Sequence, residues 1–242
     1  MMPNVYVARD ADGLAVQVAD WLIARIAAAS GNFALNLSGG STPKRLYALL
    51  AKPPYRDRID WSRLHLFFGD ERYVPHDDPE SNYLMAEETL IAHVPVPREN
   101  VHAVPSGPSP AGAASAYEAT LKAYYGAQEL DPGRPLFDVT LLGLGPDGHT
   151  ASLFPGSSAL DEKERWVLPV IGAKPPPQRI TMTYPVLDSS AAVAFLVTGE
   201  EKAPIIERLH SGDKSLPAGR IAPVGELHWF LDEAAAGQAS AS

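Results

Sequence analysis

The sequence predicts an α/β domain in which a mostly parallel, Rossmann-like sheet is flanked by helices. Three observations carry this. Strand-like segments alternate with amphipathic helical segments along most of the chain. A strand, a glycine loop and a helix follow one another at 33–50, and a second strand, polar loop and helix follow at 64–93. The chain has 242 residues, 45% of them hydrophobic and 20% charged, which is enough to bury the core of one domain.

Leu14, Val18, Trp21, Leu22 and Ile26 recur at helical spacing and predict a helix over 13–29, with Gly31 as its C-terminal cap. Phe33 to Leu37 reads as a short buried strand, and Ser38 to Thr42 as a polar turn. Pro43 suits the first position of the next helix, whose apolar side carries Leu46, Leu49 and Leu50. Leu64 to Phe68 is a strand. Helices are expected near 82–93 and 111–125, the second after a Pro/Gly/Ser-rich connector at 105–112. Asp138 to Leu142 is the clearest strand, with further candidates at 167–171, 179–184, 191–197 and 227–231 and a helix over 202–210. The Ala/Gly/Ser-rich tail 234–242 reads as frayed. In such folds ligands sit beyond the carboxyl ends of the strands, so the loops 38–42, 69–82 and 143–157 should converge on one crevice.

Composition narrows the function. Net charge is −9 and no run of five basic residues occurs, so nucleic acid is not an expected partner. The chain has no cysteine, which removes disulfides, thiolate nucleophiles and most structural zinc sites and suits a reducing compartment. Met1-Met2-Pro3-Asn4 has no signal-peptide pattern, and no stretch of about 18 apolar residues occurs, so a cytoplasmic protein without a membrane partner is expected. The seven histidines include no His-x-x-x-His pair, and no metal is expected.

Two loops carry candidate chemistry. Ser38-Gly39-Gly40-Ser41-Thr42-Pro43 lies between strand and helix, where glycines turn backbone N–H groups inward and a helix start favours an anion. It reads either as a phosphate cradle or as a tight turn with Thr42 capping the helix. It lacks the Gly-Lys-[Ser/Thr] ending of a P-loop, and Asn36 stands where a serine-nucleophile elbow needs glycine.

Gly143-Leu144-Gly145-Pro146-Asp147-Gly148 has the spacing of a dinucleotide fingerprint. The segment before Pro155-Gly156 is too short for the crossover helix that such a site requires, and three strands precede it. What remains is a flexible loop presenting Asp147 and His149 beyond a central strand. A histidine, with an intrinsic pKa of roughly 6.5, can take a proton from water near neutral pH. Asp147 can orient the imidazole or simply brace the turn. Arg72 can grip a phosphate or carboxylate, or pair with Asp70 or Glu71. Arg179 and Lys202, each near a strand end, read singly as solvated charges.

Taken together, Ser38 to Pro43, Asp70-Glu71-Arg72-Tyr73-Val74-Pro75, the run GLGPDGHTASLFP from Gly143 to Pro155, and Val197-Thr198-Gly199-Glu200-Glu201-Lys202-Ala203 resemble the 6-phosphogluconolactonases. These belong to the glucosamine-6-phosphate deaminase/6-phosphogluconolactonase family. The likeness runs to Trp229-Phe230-Leu231-Asp232 near the end of the chain. It implies a three-layer α/β fold and the cofactor-free hydrolysis of a phosphorylated sugar lactone by a monomer or small homo-oligomer. By motif it gives His149 the part of general base with Asp147 in support, and gives Gly39, Gly40, Ser41, Thr42, Arg72, Arg179 and Lys202 the 6-phosphate. The related deaminases place a glutamate five residues after the histidine. Phe154 stands there, which favours hydrolysis over deamination.

Overall fold

A computed structural model describes residues 3–237. Six strands form one parallel sheet: β1 (Asn4–Ala8), β2 (Phe33–Leu37), β3 (Leu64–Phe68), β5 (Val139–Leu142), β8 (Ala192–Val197) and β9 (Glu226–Asp232), in the order β1-β9-β8-β5-β2-β3. A second, antiparallel sheet holds β4 (Asp70–Arg72), β7 (Gln178–Met182) and β6 (Val167–Ile171) in the order β4-β7-β6. Every residue of β2, β5 and β8 is buried, as expected for parallel strands covered on both faces.

The flanking helices are α1 (Ala11–Ala28), α2 (Ser41–Leu50), α3 (Asn82–Thr89), α4 (Pro110–Tyr125), α5 (Tyr184–Asp188), α6 (Ala203–His210) and α7 (Glu233–Ala236). Helix α1 starts where Asp10 Oδ1 accepts from the Gly13 amide at 2.9 Å, and it buries Leu14, Val18, Leu22 and Ile26. Among the described residues no helix is long and apolar enough to cross a membrane.

Several boundaries differ from the sequence reading for identifiable reasons. Helix α1 ends at Ala28 with Ala29 as its C-cap in extended backbone, and Gly31, at φ +85°, instead makes the turn into β2. Pro43 lies in the third position of α2, because Gly40 is the N-cap. Strands β6 and β7 are not part of the parallel sheet; the connection between them, 172–177, is far too short for a parallel crossover, so they pair antiparallel in the second sheet. Strand β7 stops at Met182, and Pro185 sits in the first turn of α5. Within the tail expected to fray, Asp232 caps α7, which buries Ala235 and Ala236, while 238–242 lie outside the described residues.

From β2 the chain winds one way to β3, then crosses back over β2 to β5. The winding therefore reverses between β2 and β5, and at such a switch point the loops diverge and leave a crevice.

Candidate active site

The cleft at that switch point, about 600 Å³, is lined by the loops after β2, β3, β5 and β8, and every residue expected at the site from sequence lies on it.

After β2, Ser38 is clamped from below. Its amide donates to the Tyr47 hydroxyl and that hydroxyl donates to its carbonyl, both at 2.9 Å. Tyr117 does the same to Phe68 at the end of β3, at 2.8 and 3.2 Å. Burial pushes both phenols up in pKa, so they remain neutral donors. A Cβ on Gly39 would lie 2.0 Å from Asn82 Oδ1, so the chain passes there only as glycine. Gly40, at φ +102°, has no side chain to offer as N-cap of α2. Thr42, the alternative cap, instead meets Thr198 Oγ1 at 2.8 Å. The first amides of α2 thus face the cleft without a side-chain cap among the described residues, the condition for holding an anion.

After β3, the two carboxylates beside Arg72 turn away from it. Buried Glu71 accepts from the amides of Asn82 at 2.7 Å and Tyr83 at 2.8 Å, from the Arg72 amide at 2.7 Å and from Ser81 Oγ at 3.1 Å. It caps α3, and burial pushes its pKa up against the pull of these donors. Asp70 accepts from Ser152 Oγ at 2.6 Å. The Arg72 guanidinium donates to the Glu80 carbonyl at 2.5 Å, while its Nε is buried with no hydrogen-bond partner among the described residues.

Arg72 and Arg179 are directly opposed partners in the β4–β7 pair. Like charges facing across a ladder repel. Burial, then the nearby Arg72, pushes the Arg179 pKa down. An anion between the two guanidiniums removes that conflict.

After β5 comes a tight turn, with the Gly145 amide on the His149 carbonyl at 2.8 Å and the Gly148 amide on the Gly145 carbonyl at 3.0 Å. Gly148 takes φ +82°. Asp147 Oδ1 lies 2.5 Å from His149 Nδ1 and accepts from the His149 amide at 3.1 Å, so the one carboxylate touches both the imidazole and the backbone of the turn. Partial burial works against the Asp147 charge, but the His149 ring and amide outweigh it and hold the carboxyl below its usual range. With Nδ1 facing a carboxylate, Nε2 is the ring nitrogen left to accept a proton. Phe154 packs on the imidazole with ring centroids 4.9 Å apart. Ala151 adopts a left-handed φ of +48°, a strain stored beside the histidine.

After β8, Gly199 at φ +101° donates to Asp232, the residue that caps α7, at 3.1 Å. The turn brings Lys202 to the cleft, its Nζ 3.8 Å from Glu201.

Sequence reasoning missed Asn82, Glu71, Asp232 and Lys174, a cleft residue on the β6–β7 connection. Ser81, whose Oγ accepts from the Leu84 amide at 3.2 Å, was a readable N-cap signal for the helix that carries Asn82. Glu71 and Asp232 had no signal, because their donors come from other segments.

The loops at this switch point put a glycine turn, two opposed arginines and a histidine–aspartate pair on one cleft, the arrangement of an α/β protein that can hold a small anion beside an ionisable group. The chain belongs to the family described as glucosamine-6-phosphate isomerases/6-phosphogluconolactonase, whose model matches residues 9–229. It is 43% identical over 239 residues to the probable 6-phosphogluconolactonase 4, chloroplastic, of Oryza sativa subsp. indica, spanning 93% of this chain and 73% of that protein. It is 39% identical over 248 residues to the 6-phosphogluconolactonase of a Nostoc species, spanning 99% and 100%. Among solved structures it is similar to 6-phosphogluconolactonase from Trypanosoma cruzi, with a TM-score of 0.84 and 31% identity over 97% of this chain and 96% of that one.

Proposed function

We propose that the cleft hydrolyses 6-phospho-D-glucono-1,5-lactone to 6-phospho-D-gluconate, a step of the oxidative pentose phosphate pathway, in the cytoplasm. The observation that carries the reading is the His149–Asp147 contact of 2.5 Å in a cleft that is also lined by the opposed Arg72 and Arg179. The named activity of the relatives supports it.

In this reading the 39–42 loop, Arg72, Arg179 and Lys202 hold the 6-phosphate, which places C1 of the lactone beside His149. Nε2 takes a proton from water as the oxygen attacks the carbonyl carbon, and Asp147 stabilises the imidazolium that forms. The C1–ring-oxygen bond then breaks, and His149 returns the proton to the departing oxygen. The substrate is an activated ester, so the demand on the protein is orientation and one proton relay. Phe154 supports hydrolysis over deamination, since its apolar ring packs against His149 where a second carboxylate would be needed.

Lactone decay followed with and without the protein tests the activity, and His149→Ala tests the base. Decay at the spontaneous rate with the wild-type chain removes the proposal. Full activity in the alanine variant removes His149 from it.

A further inference from the structure

Beyond the residues that the family motifs point to, we infer that Lys174 is a substrate-reading cation of this site, set on the cleft wall by Arg179 and selecting for the phosphorylated form of the lactone. The inference rests on the proposed hydrolysis and deepens it.

Ala173 and Lys174, on the six-residue connection 172–177 between β6 and β7, form one wall of the cleft. The Gly172 amide donates to the Pro177 carbonyl at 2.7 Å and closes the loop on itself. A Cβ on Gly172 would lie 3.2 Å from the Phe154 ring, so this wall stands against the ring that packs on His149. Arg179 braces the loop from inside. Its Nε donates to the Pro176 carbonyl at 2.9 Å and its Nη2 to the Lys174 carbonyl at 3.3 Å, from a residue only 8% exposed. Pro175, Pro176 and Pro177 each fix φ, so the loop has little freedom left to lose when a ligand arrives. The backbone of Lys174 is therefore held by the buried guanidinium that itself opposes Arg72.

Charge decides what this placement does. Apart from Lys174, the cleft lining carries three cations, Arg72, Arg179 and Lys202, against three carboxylates, Asp70, Asp147 and Glu201. Lys174 turns that balance positive. Arg72 lies 3.9 Å from Glu80 and Lys202 3.8 Å from Glu201, whereas the exposed Lys174 ammonium has no carboxylate partner among the described residues. A cation kept unpaired on the wall of a cleft, in a chain of net charge −9, suits a dianionic phosphate monoester more than a neutral sugar.

The test compares steady-state hydrolysis of 6-phospho-D-glucono-1,5-lactone and of unphosphorylated D-glucono-1,5-lactone by the full chain and by Lys174→Gln, Lys174→Arg and, as a charge control at the far end of α2, Lys52→Gln. In Lys174→Gln, kcat/KM for the phosphorylated lactone should fall about tenfold, mainly through KM, with the unphosphorylated lactone changed less than about twofold. Lys174→Arg should recover most of the loss, and Lys52→Gln should match the wild type. Equal losses on both lactones, or none on either, overturn the assignment. Inorganic phosphate binding, measured by calorimetry on the same proteins, separates the two readings. If the wild type fails to hydrolyse either lactone, the proposed reaction fails, and Lys174 stands or falls on whether Lys174→Gln weakens phosphate about tenfold.

Discussion

The imidazole of His149 rests on Gly145, and a Cβ at that position would lie 2.0 Å from Nδ1. The middle glycine of the dinucleotide-like pattern thus leaves space for a side chain of its own loop, where a nucleotide site would leave it for a pyrophosphate. Gly145→Ala must displace the ring from Asp147. We expect kcat to fall by about tenfold or more, since a misplacement of about 1 Å is enough for losses of that order. Lactone kinetics beside a melting curve check this, and a fully active Gly145→Ala would remove the steric argument.

Asp147 faces Nδ1, so its charge favours the tautomer in which Nε2 accepts a proton. Asp147→Asn keeps the shape but offers an amide donor that favours the opposite tautomer. The expected result is a fall in kcat of about tenfold or more with the melting temperature held, because the side chain is half exposed. Unchanged kcat would reduce Asp147 to a brace for the turn.

Glu71 collects four donors beneath α3. Glu71→Ala leaves them buried and unmet, and a loss of about 3 kcal/mol is expected in urea unfolding. Because one donor is the Arg72 amide, KM for the phosphorylated lactone should rise in the same variant. A loss below about 1 kcal/mol would contradict the capping role.

His102 stacks on Phe67 at 4.4 Å, with its Nε2 3.1 Å from His65 Nδ1. Burial, then the neighbouring His65, pushes its pKa down to about 4. The unfolded chain takes up this proton near pH 6.5 while the folded chain resists until about 4, so stability should fall as pH drops across that window. His102→Phe keeps the stack and removes the titration, and should flatten the stability change between about pH 7 and 4.5. Parallel unfolding curves for both proteins would refute this.

Strands β2, β3, β5 and β8 were legible because buried apolar runs declare themselves locally, and the loops that follow them could be placed from topology alone. Strand β4 was not. Asp70-Glu71-Arg72 has no apolar pattern, and the three residues are a strand only because β7 pairs with them. The facing of Arg72 and Arg179 is a product of that pairing, so two charges that stand 107 positions apart in the sequence meet only in the fold. The His149–Asp147 contact was legible because both residues lie in one loop. Lys174 was not, since its place depends on a guanidinium donating to its carbonyl from the neighbouring strand.

The phenols of Tyr47 and Tyr117 hold the ends of β2 and β3 with hydrogen bonds made wholly within the chain. Each is anchored in a helix and grips both the amide and the carbonyl of one residue, so the rim of the cleft behaves like a strung frame. Its shape is set when the chain folds, and a visiting molecule finds a mould already cast.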